Sequence, residues 1–147
     1  MSEAESTDPQ ETARAAAAAM LEGDLCTKDL GMEILSVGPG AATLAMTVRE
    51  DMLNGHGTCH GGMIFTLADS CFAYACNSHD RNAVAVSCLI DFVAPARLGD
   101  VLTAVAREIS LVGRNGLYDV AVSNQDGVEV AHFRGKCRII KGSVTGR

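Results

Sequence analysis

Apolar and polar residues alternate in four runs in the second half of this chain: 83–93 (AVAVSCLIDFV), 101–112 (VLTAVAREISLV), 117–124 (LYDVAVSN) and 128–140 (VEVAHFRGKCRII). A period of two is that of a strand with one buried face. The linkers APARLGD, GRNG and QDG are short and rich in turn residues, and Asp126-Gly127 is a hairpin signal. Earlier, EILSV and AATLAMTVRE flank Gly38-Pro39-Gly40, which predicts another hairpin from about Glu33 to Arg49 with Leu44, Met46 and Val48 on its buried face.

Between these two regions the period changes. From Gly61 to about Ser78, Met63, Ile64, Leu67, Ala68, Cys71, Phe72, Ala75 and Cys76 recur at helical spacing. So few polar residues interrupt this helix that it cannot lie on a surface, and strands must wrap it. Near the start, Asp8 as N-cap, Pro9 in the first turn and Glu11 as a reciprocal cap open an alanine-rich helix that Gly23 stops after about Glu22. Residues 1–7 read as a disordered tail and 8–147 as one domain. The order predicts an α+β fold, an antiparallel sheet of about six strands curled round one apolar helix. One helix on one sheet leaves the far face and the edges thinly covered, so a homo-oligomer is expected.

Composition narrows the function classes. A chain of 147 residues can bury a core unaided. Its net charge of −6, its 4% aromatic content and its lack of Trp argue against a nucleic-acid surface. Six cysteines (Cys26, Cys59, Cys71, Cys76, Cys88, Cys137) suit three disulfides, but the acidic N-terminus lacks the basic and apolar parts of a signal peptide. Reduced thiols in a cytoplasmic setting are expected, and no run of 18 apolar residues predicts a membrane span.

The candidate chemistry lies in NGHGTCHGG, residues 54–62, which feeds straight into the apolar helix. His60 stands where a dinucleotide fingerprint needs its third glycine. His56, Cys59 and His60 lack the spacing of a zinc site, and the adjacent Cys59 and His60 side chains diverge, which disfavours a Cys-His nucleophile. At a helix N-terminus, however, the first amides have no intrahelical partner, and Gly61 and Gly62 let a ligand oxygen approach them. Asn54 and His60 add side-chain donors, which makes an oxyanion hole in outline. The stretch reads equally as a glycine-rich turn around a satisfied histidine. Asp69 borders the apolar stripe with Phe65 and Phe72 beside it, which suits a general base of raised pKa; bonding to Thr66 or Ser70 is the bland alternative. Donors and acid stand eight residues apart, about 12 Å along a helix, so two antiparallel copies would bring the acid of one to the donors of the other.

MLNGHGTCHGGMIFTLADSCFAYACNS, continued by AVAVSCLIDFVAPARLGDVLTA and the later FRGKCRI, resembles the hotdog-fold acyl-CoA thioesterases of the PaaI type over about residues 30–146. The resemblance implies thioester hydrolysis at a dimer interface within a dimer of dimers, acting on ring-hydroxylated phenylacetyl-CoA or a similar acyl-CoA, with no metal and no cofactor beyond the CoA of the substrate. It implies that Gly61 and Asn54 polarise the carbonyl and that His60 orients it or the sulfur. Asp69 of the neighbouring protomer would activate water or attack directly, and Ser87 would hold the water. Gly62 and Phe65 are expected substrate-binding residues, and Arg97, Arg114, Arg134 and Lys136 the candidate phosphate ligands. A hotdog hydratase or dehydratase and a non-catalytic acyl-CoA binding module are the competing readings.

Overall fold

In the computed structural model, residues 8–146 are described; the tail expected at 1–7 lies outside them. The chain runs α1 (Pro9–Gly23), α2 (Leu25–Asp29), β1 (Glu33–Gly38), β2 (Ala41–Thr47), a 3-10 turn (Glu50–Met52), α3 (Gly61–Cys76), β3 (Ala83–Phe92), β4 (Val101–Val112), β5 (Asn115–Ser123) and β6 (Glu129–Ile139). The strands form one sheet in the order β1-β2-β4-β5-β6-β3, with every neighbouring pair antiparallel. Its inner face wraps α3 in the hotdog arrangement: Leu67, Ala68, Cys71 and Ala75 of the helix are fully buried, as are Leu44, Leu102 and Tyr118 of the strands. Gly135 allows the closest approach, since a Cβ there would stand 2.8 Å from the Phe72 ring.

Capping chemistry sets the helix ends. The Asp8 carboxylate accepts from the Gln10 amide at 3.2 Å, while Glu11, among the described residues, makes no reciprocal bond. α3 stops at Cys76, two residues short of the predicted end, because the buried side chain of Asn77 takes over. Its amide donates to the carbonyls of Ala73 (2.9 Å) and Ala83 (3.1 Å), and its oxygen accepts from the Ala83 amide (2.9 Å). This one residue therefore ties the end of α3 to the start of β3. The unpredicted α2 forms because Asp24 caps Thr27 and also accepts from the Tyr74 hydroxyl of α3 at 2.9 Å.

The strand pattern departs from expectation in two places. β5 begins at Asn115, so only Gly113 and Arg114 connect it to β4, with Gly113 at φ +60. β3 is an edge strand broken by a register shift between Ala85 and Ser87, and Val84, Val86 and Leu89 on it are exposed rather than half-buried. The opposite edge strand, β1, is partly covered by α1, whose Gln10 donates to the Val37 carbonyl at 2.7 Å. All six cysteines are free thiols. No helix among the described residues is long and apolar enough to cross a membrane.

Candidate active site

The glycine loop is a closed turn. The Asn54 amide donates to the Thr58 carbonyl at 2.8 Å, and the Asn54 side-chain oxygen accepts from the amides of His56 (2.9 Å) and Thr58 (3.1 Å). The His60 amide donates to the Met52 carbonyl at 2.7 Å and the Cys59 amide to the Ala96 carbonyl at 2.8 Å, which pins the loop between the 3-10 turn and the exit from β3. Asn54 Nδ2 donates one proton to the Thr58 hydroxyl at 3.1 Å. Its second proton remains available to a ligand.

At the start of α3 the first amides divide. His60 is the N-cap, and its Nδ1 accepts from the Gly62 amide at 3.0 Å. The Gly62 amide, expected to meet the substrate, is thus occupied by the cap, and the His60 ring stabilises the helix end with one nitrogen before it can orient any ligand. The Gly61 amide has no acceptor among the described residues. It points out of the positive end of a 16-residue helix. Beside it lies a cavity of about 430 Å³ lined by Asn54, Thr58, Ile64, Phe92 and residues 93–96.

Asp69 is half-buried two turns further on, and burial raises its pKa. Neither bland partner holds it: the Thr66 hydroxyl donates to the Gly62 carbonyl at 2.8 Å, and the Ser70 hydroxyl accepts from Thr27 at 3.2 Å. The carboxylate makes no hydrogen bond among the described residues. Burial first and the Asp69 charge second raise the pKa of the Cys88 thiol, and the sheet explains why the two groups are close. Cys88 pairs with Gly135, Gly135 sits over the Phe72 ring, and Phe72 follows Asp69 by one helical turn.

Ser87 pairs with Lys136 directly after the register shift of β3 and is exposed in the single chain. Phe65 is half-buried in an edge-on contact with Phe133, ring centroids 5.5 Å apart, so it belongs largely to the core. Of the phosphate candidates, Arg97 is exposed beside the cavity lining. Arg114 lies in the turn at the far end of β4, roughly 35 Å away at ~3.3 Å per residue. Arg134 grips Asp119 through two bonds of 2.6 and 2.9 Å, and Lys136 is exposed on the outer face of β6. Phe92, which sequence reasoning missed, is the aromatic side chain that meets the donors.

Residues 56–131 match the family model of the thioesterase superfamily. Over 128 residues the chain is 50% identical to acyl-coenzyme A thioesterase PaaI of Escherichia coli K12, covering 87% of this chain and 91% of that protein. The chain belongs to the thioesterase superfamily. The solved E. coli PaaI protein from the phenylacetic acid degradation operon superposes on this thioesterase-superfamily chain with a TM-score of 0.91 at 47% identity, covering 92% of this chain and 99% of that one. A hypothetical thioesterase protein of Streptococcus pneumoniae TIGR4 solved with coenzyme A gives a TM-score of 0.72 at 26% identity, covering 74% of this chain and 88% of that one. The family match takes in Gly61 and Asp69, the donor and the acid that have no hydrogen-bond partner among the described residues.

Proposed function

We propose that this chain is an acyl-CoA thioesterase acting on arylacetyl-CoA, such as phenylacetyl-CoA or its hydroxylated forms, at sites that two protomers build together. The observation that carries the reading is a pair of groups on α3 with no hydrogen-bond partner among the described residues: the Gly61 amide at the positive helix end and the half-buried Asp69 carboxylate. A helix stores such groups at a cost, and a thioester carbonyl with an attacking water uses both.

The carbonyl oxygen accepts from the Gly61 amide and from the free Asn54 Nδ2 proton, where negative charge develops as the carbon becomes tetrahedral. Asp69 of the neighbouring protomer takes a proton from water as the oxygen adds to the carbonyl carbon. The C–S bond then breaks, the CoA thiolate leaves, and the proton returns from Asp69 to the thiolate. In the alternative course Asp69 itself attacks, forming a mixed anhydride that water opens. Single turnover in ¹⁸O-water tests for the second: label in the Asp69 carboxylate with an unlabelled acid shows an anhydride opened at Asp69, whereas label in the acid alone is given by direct water attack and by an anhydride opened at its acyl carbon.

Two copies pair through the open edge of β3, whose exposed Val84, Val86 and Leu89 need cover. That places two α3 helices side by side and antiparallel. Two such dimers associate into a tetramer, and Arg97, next to the cavity, reaches toward the CoA phosphates. The name of the E. coli relative and its operon support the arylacetyl-CoA assignment. A hydratase would need His60 aimed at a substrate carbon, whereas its Nδ1 caps Gly62. A binding module would have no use for a desolvated carboxylate. Thiol release from a panel of acyl-CoAs, followed with a thiol reagent, is the test: arylacetyl-CoA should be turned over best, and no release from any acyl-CoA would end the proposal.

A further inference from the structure

Six aromatic side chains are present, and five of them serve the core. Phe72, Tyr74, Tyr118 and Phe133 are buried, and Phe65 is half-buried against Phe133. Phe72 stacks with Tyr118 and Phe133 at centroid distances of 5.7 and 5.6 Å. Phe92 stands apart: it is 52% exposed and belongs to no ring pair. An open Phe on a strand rim has an ordinary reading as surface, but its placement here is specific.

Phe92 pairs with the fully buried Ala131, so it faces the helix side of the sheet. Its ring lies over the first residue of α3. A Cβ built on Gly61 would stand 2.9 Å from its Cζ and 3.3 Å from both Cε atoms, so Gly61 is glycine partly because this ring occupies the side-chain space. The ring also walls the cavity that holds Asn54 and Gly61. Its backbone is held at both ends of the segment: the Val93 amide donates to the Val130 carbonyl at 2.9 Å, and the Ala96 carbonyl accepts from the Cys59 amide at 2.8 Å. The backbone that carries Phe92 is therefore anchored on both sides of the cavity wall. The rest of the lining from this segment is aliphatic, Val93, Ala94, Pro95 and Ala96.

We infer that Phe92 selects aryl over straight-chain acyl groups, the substrate ring lying against it while the thioester carbonyl reaches the Gly61 amide. This rests on the thioesterase reading above. An arylacetyl group carries its ring one methylene from the carbonyl, and a carbonyl held at Gly61 keeps that ring within the roughly 4.5–7 Å over which aromatic pairs interact. A straight acyl chain finds the same wall but no edge or face preference.

Two variants test it. Phe92→Leu keeps apolar bulk and removes the ring, so the ratio of kcat/KM for phenylacetyl-CoA to that for hexanoyl-CoA should fall about 2- to 10-fold. An unchanged ratio, with wild type hydrolysing both, would overturn the inference and leave the thioesterase reading standing. Because the chain has no Trp, Phe92→Trp supplies a single emitter at this position. Titration with the S-(2-phenylethyl)-CoA thioether should shift its emission, and S-hexyl-CoA should shift it less. An aryl thioether that binds by calorimetry yet leaves the emission unmoved also overturns the inference, whatever the fate of the Leu variant. If neither thioether binds and wild type releases thiol from no acyl-CoA, the thioesterase reading fails and this inference with it.

Discussion

Asp69 is the residue whose environment has the most consequences. Burial holds its carboxyl above its ordinary pKa, and no bond within the described chain offsets the lost hydration. Asp69→Asn should therefore lower the hydrolysis rate by about 10²–10⁴, the span for loss of a general base, with the oligomer unchanged in sedimentation. The sign of its effect on stability is opposite. A carboxyl whose folded pKa is raised binds protons more readily in the fold than in the unfolded chain, so its ionisation destabilises the fold at neutral pH. Below the unfolded pKa that penalty is absent. Asp69→Asn should thus melt higher than wild type at pH 7 by circular dichroism, and the gain should shrink as the pH falls through the raised pKa. A lower melting temperature at pH 7 would mean that the carboxylate has a stabilising partner. The sequence showed this acid as one polar position in an apolar stripe. Whether Thr66 or Ser70 held it depended on rotamers, and on the meeting of Ser70 with Thr27 on α2, an element that periodicity did not reveal.

Among the elements, α3 and β3 define the site, and their junction is Asn77. Its three side-chain bonds to the backbone, at 2.9 to 3.1 Å, close the helix and start the strand. Asn77→Ala should cost about 2–3 kcal/mol in urea unfolding, at ~1 kcal/mol per lost bond. A smaller rate loss than in Asp69→Asn should accompany it, because α3 shifts against β3 without losing either reacting group. The helix itself was legible, since a period near 3.6 behind a run of glycines leaves little choice, but its stop at Asn77 was not. The strand runs and the wrapped arrangement were legible too. Strand β3 was half legible: its apolar alternation is real, but an edge position and a shift at Ala85/Ser87 cannot be read from alternation, which counts every residue as one step. Ser87 itself entered the expected site through the family resemblance and not through the alternation, which gives it only as a small polar residue in a strand. Phe92 was missed for another reason. Its contact with Gly61 joins positions 31 apart, and only the sheet order, with β3 beside β6, brings them together.

For the whole molecule, the decisive quantity is the eight-residue separation of Gly61 and Asp69, about 12 Å of helix. One chain cannot hold one carbonyl with both groups, whereas two antiparallel copies of α3 can hold two. On the proposed reading each dimer has two composite sites, and each site takes Gly61 and Asn54 from one protomer and Asp69 from the other. Asn54→Ala and Asp69→Ala chains should each be inactive alone, the first lacking a donor and the second the base. When they are unfolded and refolded together, a mixed dimer contains one site with both lesions and one with none. Random pairing makes about half the dimers mixed, so activity should return to roughly a quarter of wild type. Native mass spectrometry confirms that mixed dimers have formed. If they have, and the mixture is no more active than its components, the donors and the acid serve within a single chain, and pairing through the β3 edge has no part in the chemistry.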